Sequence, residues 1–208
     1  MKLLGTFKPG LKPWPDNPLT KYLGEPGLLM VLRHGQIQGH DIRRFIGTTD
    51  AELDDTGVGQ AESWHGILSG FSFKAVYSSP LKRCLNTAAQ ICPCSQPIMD
   101  DRLTEIHMGA WENLSFDSVK KAHPEAFERR GRHMDTFTPP GGESFSRVSE
   151  RAWNFFSSNK GPLSGPILVV THAGVIRTLL CRIYEVPLTE LFTFKPSYGE
   201  LFLISATN

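Results

Sequence analysis

The stretch Leu28-Leu29-Met30-Val31-Leu32-Arg33-His34-Gly35-Gln36 decides the fold. Its uninterrupted apolar half has the length of a strand buried on both faces, as found in parallel sheets. A polar run follows at once, and the same succession occurs twice more. Ala75–Tyr77 leads into Ser78-Ser79-Pro80-Leu81-Lys82-Arg83, and Ile167–Val170 into Thr171-His172-Ala173-Gly174. Segments of helical period lie at Asp55–Leu68, Leu81–Ile91 and Val175–Tyr184. Strand alternating with helix predicts an α/β fold, a three-layer α/β/α arrangement around a mostly parallel central sheet. Leu191–Phe194 and Leu201–Ile204 read as a hairpin or as a turn into a last strand.

In a parallel sheet the carboxyl ends of the strands share one edge, and ligands bind in the crevice there. Arg33, His34, Arg83 and His172 therefore converge from three distant segments. Gly35 and Gly174 let backbone approach a ligand, and the helices after Pro80 and Gly174 aim their N-termini at the same edge. Buried cations without a counter-charge are costly, so the cluster asks for a small anion, and one phosphoryl group suits it.

The rest of the composition excludes larger anions. Lys and Arg number 22 against 21 Asp and Glu in 208 residues, a net charge of +1. No global field gathers nucleic acid or anionic lipid, so neither nucleic acid nor membrane is expected as a partner. No apolar run approaches the ~20 residues that span a bilayer, and the N-terminus has no apolar h-region. Four cysteines, with Cys92 and Cys94 one residue apart, fit neither a disulfide scaffold nor a zinc spacing, and read as reduced thiols of a cytoplasmic protein. Residues 1–27 hold five of the 15 prolines and show no helical or strand period. They read as an N-terminal extension that either drapes over the domain, with Trp14 and Tyr22 as anchors, or is a disordered leader. Residues 28–208 form the domain proper. Within it 101–165 reads as a helical lid, with helices at Phe116–Arg132 and Ser144–Ser157 and a turn at Thr138–Gly142.

Five motifs, in this order and spacing, carry a resemblance that runs from about residue 28 to 205. They are Leu32-Arg33-His34-Gly35; Ser78-Ser79-Pro80-Leu81-Lys82-Arg83 with Thr87-Ala88; Arg102-Leu103-Thr104-Glu105 with Gly109 and Trp111; Pro140-Gly141-Gly142-Glu143-Ser144; and Thr171-His172-Ala173-Gly174. The chain resembles the histidine phosphatase superfamily, the phosphoglycerate mutase-like proteins. The resemblance implies a phosphomonoester hydrolase that needs no metal and no cofactor, with His34 as the nucleophile that carries the phosphoryl group. Arg33, Arg83 and His172 would hold the phosphoryl oxygens and Glu105 would be the general acid. Residue chemistry agrees, since a neutral imidazole is available near its ordinary pKa of ~6.5, and phosphoryl transfer is mainly a matter of positioning and cationic stabilisation. Gly35, Gln36, His40, Arg44, Trp111 and Ala173 are expected to bind substrate, with Arg44 either gripping it or tethering its own loop. Glu143 reads as a helix first-turn carboxylate in preference to a catalytic one.

The sequence departs from the family pattern where Ile37 replaces a Thr, His40 stands in place of an Asn, and Asn113 in place of a Gly. Met108-Gly109-Ala110-Trp111-Glu112 and the short glycine turn resemble the phosphatase branch, and α-ribazole 5′-phosphate phosphatases most in look. Trp111, Phe116 and Phe137 then either stack on an aromatic leaving group or fill the core. A mutase-type transfer, with Arg129, Arg130 and Arg132 as a second grip, is the alternative within the family; the three arginines read more simply as a solvated helix face. A phosphate-binding module without turnover is the alternative outside it, suggested by Ile37 and His40. The expected partner is a small phosphorylated metabolite, and the protein a monomer or homodimer.

Overall fold

A computed structural model describes residues 1–159 and 165–207. The strands are β1 (Lys2–Phe7), β2 (Leu28–Arg33), β3 (Ala75–Ser78), β4 (Ile98–Met99), β5 (Ile167–Thr171) and β6 (Leu201–Ser205). The helices are α1 (Asp55–Leu68), α2 (Lys82–Ile91), α3 (Phe116–Ala122), α4 (Pro124–Arg132), α5 (Phe145–Ser158) and α6 (Ala173–Ile183). The strands form one sheet of order β1-β6-β2-β5-β3-β4. β2, β5, β3 and β4 run parallel, while β6 is antiparallel to both β2 and β1.

Successive side chains of a strand point to opposite faces, and the apolar runs supply both. Leu29, Val31, Ile167, Val169, Phe202 and Ile204 enter the core beneath α5 and α6. Leu28, Met30, Leu32, Leu168, Val170 and Leu203 enter the core beneath α1 and α2. Two apolar faces on unbroken strands require two helical layers, which gives the three-layer sandwich expected. The register places Arg33 beside Thr171 and Val170 beside Ser78. Residues 34 and 172 therefore leave the sheet at one level, with Ser79 one residue short of it beside Thr171, and this shared exit positions the site.

Residues 1–27 correct the reading of an extension without strand. Lys2–Phe7 adds an edge strand to β6, with a register shift between Leu3 and Gly5; it is nowhere buried on a full face, so its sequence carries no clean alternation. The prolines follow it, and the segment lies on the domain. Trp14 N–H donates to the Gly66 carbonyl at 3.3 Å, and the indole covers Gly70 so closely that a Cβ there would sit 2.4 Å from it. Tyr22 Oη donates to the Leu4 carbonyl at 3.2 Å. The helix expected over Phe116–Arg132 is two helices, because Pro124 starts the second and holds His123 outside helical geometry, at ψ 59°. The segment before β6 is a 3-10 turn, Leu188–Thr193, so the turn into a last strand is the alternative that forms. β4 has two residues, both exposed, too short to leave a period.

Candidate active site

His34 follows β2, and its N–H donates to the Thr171 carbonyl at 3.0 Å. Its ring is buried, with Nδ1 2.7 Å from the Gly35 carbonyl. A carbonyl only accepts, so Nδ1 carries the hydrogen and Nε2 keeps its lone pair. Burial first, then the charges of Arg33 and Arg83, push the imidazole well below its ordinary pKa of 6.5. His34 is therefore neutral at neutral pH, with one nitrogen free to attack.

Arg83 enters from the first turn of α2 and is 1% exposed. Its Nη1 and Nη2 donate to the carbonyls of Thr49 and Gly47, both at 2.7 Å, and Nε to His172 Nδ1 at 3.2 Å. That last bond fixes the His172 tautomer: Nδ1 accepts, so Nε2 carries the hydrogen and donates to Ser79 Oγ at 2.7 Å. With both nitrogens engaged and burial holding its pKa well below 6.5, His172 anchors Arg83. It stands 5.1 Å from His34, ring to ring.

Arg33 holds its guanidinium carbon over the ring of Tyr198, 3.6 Å from the centroid, and its Nη1 donates to the Pro196 carbonyl at 2.8 Å. Burial weakens its charged form, with the neighbouring Tyr198 and Glu105 opposing that effect, and its Nε has no partner among the described residues. Glu105 accepts from Ile106 N–H at 2.9 Å and from Gly174 N–H, at the start of α6, at 3.0 Å. A Cβ on residue 174 would fall 2.1 Å from Glu105 Oε1, so glycine admits the carboxyl.

Of the residues expected from sequence, Arg33, His34, His40, Arg44, Arg83, Glu105 and Ala173 line one cleft of about 270 Å³. The others stand elsewhere. His172 sits behind the cleft, as described. Gly35 is where the loop crosses α1, a Cβ falling 2.4 Å from the Gly57 carbonyl. Gln36 is turned to Asp54, at 3.0 Å. Trp111 is corrected as a substrate-binding residue: it is 1% exposed, stacked on Phe137 at 5.2 Å and beside Phe45 at 5.3 Å. Among the three lid aromatics Trp111 and Phe137 fill the core, and Phe116 alone lines the cleft.

The departures from the family pattern have physical grounds. Ile37 is 3% exposed and bridges to Leu53, so packing has taken the place of a hydroxyl. His40 Nδ1 is 3.5 Å from the Asp54 carboxylate. Asn113 has φ 62°, the left-handed region that Gly and Asn tolerate best. Sequence reasoning missed Tyr198 and Arg177, which also line the cleft. The signal for Tyr198 was an aromatic in the short turn between Pro196 and Gly199; for Arg177 it was the position one helical turn beyond Ala173.

Glu112 organises the cleft without lining it. Its carboxylate accepts from six donors, the N–H groups of Gly47, Thr48, Thr49 and Met108 and the hydroxyls of Thr48 and Thr49. Burial would raise its pKa, but these donors outweigh it and hold the carboxyl at about 2, against an ordinary 4.5. The loop so fixed supplies both carbonyls that hold Arg83. The stabilisation is complete above pH 4.5 and fades as pH falls from there toward 2. Glu112→Gln is therefore expected to lower the thermal midpoint at pH 7, with the gap to wild type closing below pH 4.5. It is also expected to cost about 10- to 100-fold in kcat/KM through a misplaced Arg83.

Fold and site together define a phosphate-handling α/β protein of the phosphoglycerate mutase-like class. The chain belongs to the histidine phosphatase superfamily (branch 1), whose sequence profile matches residues 29–208. It is 30% identical over 169 residues to phosphoserine phosphatase 1 of Hydrogenobacter thermophilus, covering 80% of each chain. It is 35% identical over 185 residues to a bifunctional protein of Mycobacterium tuberculosis, covering 86% of this chain and 49% of that one, so it spans about half that relative's length. The crystal structure of the α-ribazole phosphatase from Shigella flexneri superposes with a TM-score of 0.75 at 26% identity, over 83% of this chain and 87% of that one. These relatives support a phosphatase.

Proposed function

We propose that the protein hydrolyses small phosphomonoesters without a metal, through a phosphohistidine on His34. The observation that carries this reading is the His34 imidazole: buried, neutral, its Nδ1 committed to Gly35, and its Nε2 left for a cleft that Arg33 and Arg83 also line. Nε2 attacks phosphorus, the P–O ester bond breaks, and Glu105 in its acid form gives its proton to the departing alkoxide. The two guanidinium groups match the charge on the equatorial oxygens. Glu105 then takes a proton from water, the oxygen attacks phosphorus, the P–N bond breaks, and phosphate leaves with His34 neutral again.

For substrate, relatives named for phosphoserine and α-ribazole phosphate support a small metabolite. Stacking on an aromatic leaving group has lost Trp111 and Phe137 to the core, so α-ribazole 5′-phosphate stands as one candidate among several. Four unpaired cysteines support a cytoplasmic setting, and no helix among the described residues is long and apolar enough to cross a membrane. The test is a panel of para-nitrophenyl phosphate, α-ribazole 5′-phosphate, 3-phosphoglycerate and fructose 1,6-bisphosphate, with the mutase reaction run alongside. Phosphate release that a chelator leaves unchanged is expected. Isomerisation of phosphoglycerate in preference to hydrolysis, or phosphate binding without turnover of any ester, would overturn the reading.

A further inference from the structure

The turn at residues 196–200, which leads into β6, is built onto the end of β2. Arg33 N–H donates to the Glu200 carbonyl at 3.0 Å and Gly199 N–H to the His34 carbonyl at 3.1 Å, extending the contact of β2 with β6 beyond Leu32 and Leu201. The Glu200 carboxylate accepts from Ser197 N–H at 2.6 Å, and the Trp64 indole, from α1, donates to the Gly199 carbonyl at 2.8 Å. Gly199 has φ 67°, and a Cβ there would fall 2.8 Å from Pro9, so both its conformation and its space call for glycine. Of these five residues, Tyr198 alone lines the catalytic cleft. A turn tied down on every side thus presents one ring to the site.

That ring stands against Arg33, whose guanidinium carbon lies 3.6 Å from its centroid; His34 and His40 are farther ring neighbours, at 5.6 and 6.4 Å. Arg33 makes no ion pair among the described residues. Its Nη1 is taken by the Pro196 carbonyl of the same turn, and its Nε is buried without a partner. A guanidinium that must receive phosphoryl oxygens is poorly held by a carboxylate, which would occupy the donors the substrate needs and offset their charge. A ring face avoids both effects. Its quadrupole attracts the cation and its area covers the guanidinium plane, while the in-plane N–H donors stay open.

We propose that Tyr198 is a positioning residue for the phosphoryl group: its ring, fixed by the turn, holds the Arg33 guanidinium so that Nε and Nη2 stay open to the transferring oxygens. The proposal rests on the phosphatase reading, and phosphate binding tests it apart from turnover. Tyr198→Ala is expected to lower kcat/KM for para-nitrophenyl phosphate about 10-fold, and to weaken binding of inorganic phosphate, read by calorimetry, by a similar factor, the scale of a partly desolvated cation–π contact. Tyr198→Phe keeps the ring and should recover most of both losses. Tyr198→Leu keeps bulk without the ring face and should not, so the Phe and Leu variants carry the test if the Ala variant does not fold. In an Arg33→Met background Tyr198→Ala should cost less than about twofold, because the residue through which it acts is gone. Thermal midpoints show that each variant is folded. A loss that persists at full size in that background, a Phe variant as impaired as Leu, or Ala and Leu variants within about twofold of wild type overturns the proposal. Failure of the phosphatase reading is seen separately, as wild-type protein that binds phosphate but hydrolyses no ester.

Discussion

Replacing His34 by alanine is expected to lower kcat for every phosphomonoester by about 10⁴-fold or more, the scale of losing a nucleophile from a covalent mechanism. Arg33 and Arg83 remain to bind the phosphoryl group, so phosphate should still inhibit or bind while turnover is gone. The same variant reports on protonation. His34 is held neutral by burial and by two arginines, so above pH 6.5, where the unfolded chain is also neutral, it contributes no pH dependence. Below 6.5 the unfolded chain binds a proton that the folded chain refuses, and stability falls with pH until the folded value is reached. His172 adds a second such group. Thermal midpoints from pH 7.5 to 5 should therefore fall less steeply for His34→Ala than for wild type. Retention of more than a few per cent of kcat would contradict the assigned role.

Arg83→Met is expected to cost about 10³-fold in kcat/KM, because it removes one of two charges facing the transferring group. It also strands three acceptors, the buried carbonyl of Gly47 and Nδ1 of His172 and the part-buried carbonyl of Thr49. A stability loss of about 2–4 kcal/mol follows, the order for unsatisfied buried groups. Arg83→Lys restores the charge but not donors on three separate atoms, so it should recover less than a tenth of the lost activity. Denaturant titration beside steady-state kinetics checks both effects; a Met variant that folds normally and turns over near the wild-type rate would refute them.

The sheet edge was legible because its code is short-range. Five apolar residues followed by Arg33-His34 specify a buried strand and a polar exit, and the register of parallel neighbours then brings His172 to the same level, and Ser79 to within one residue of it, without further information. Residues whose roles depend on tertiary neighbours were not legible. Trp111 has the composition of a stacking platform, and only the arrival of Phe45 and Phe137 on its two sides makes it core. Tyr198 lies in a turn with no period or motif, and acquires meaning because β6 returns antiparallel beside β2 and sets its ring on Arg33. The six donors of Glu112 come from two loops about sixty residues apart in the chain, so its depressed pKa has no local signature. His172 was recognised by its motif, but its task followed from which nitrogen Arg83 occupies.

The central claim is that a phosphoryl group passes through His34, and rapid quenching during turnover tests it most directly. Wild-type protein mixed with excess substrate and quenched in alkali should carry one phosphoryl group per chain, lost on brief acid treatment and mapped by peptide mass spectrometry to His34. His34→Ala should carry none. A label that survives acid, maps to another residue or persists in His34→Ala would contradict the account, as would turnover with no labelled wild-type protein at any quench time.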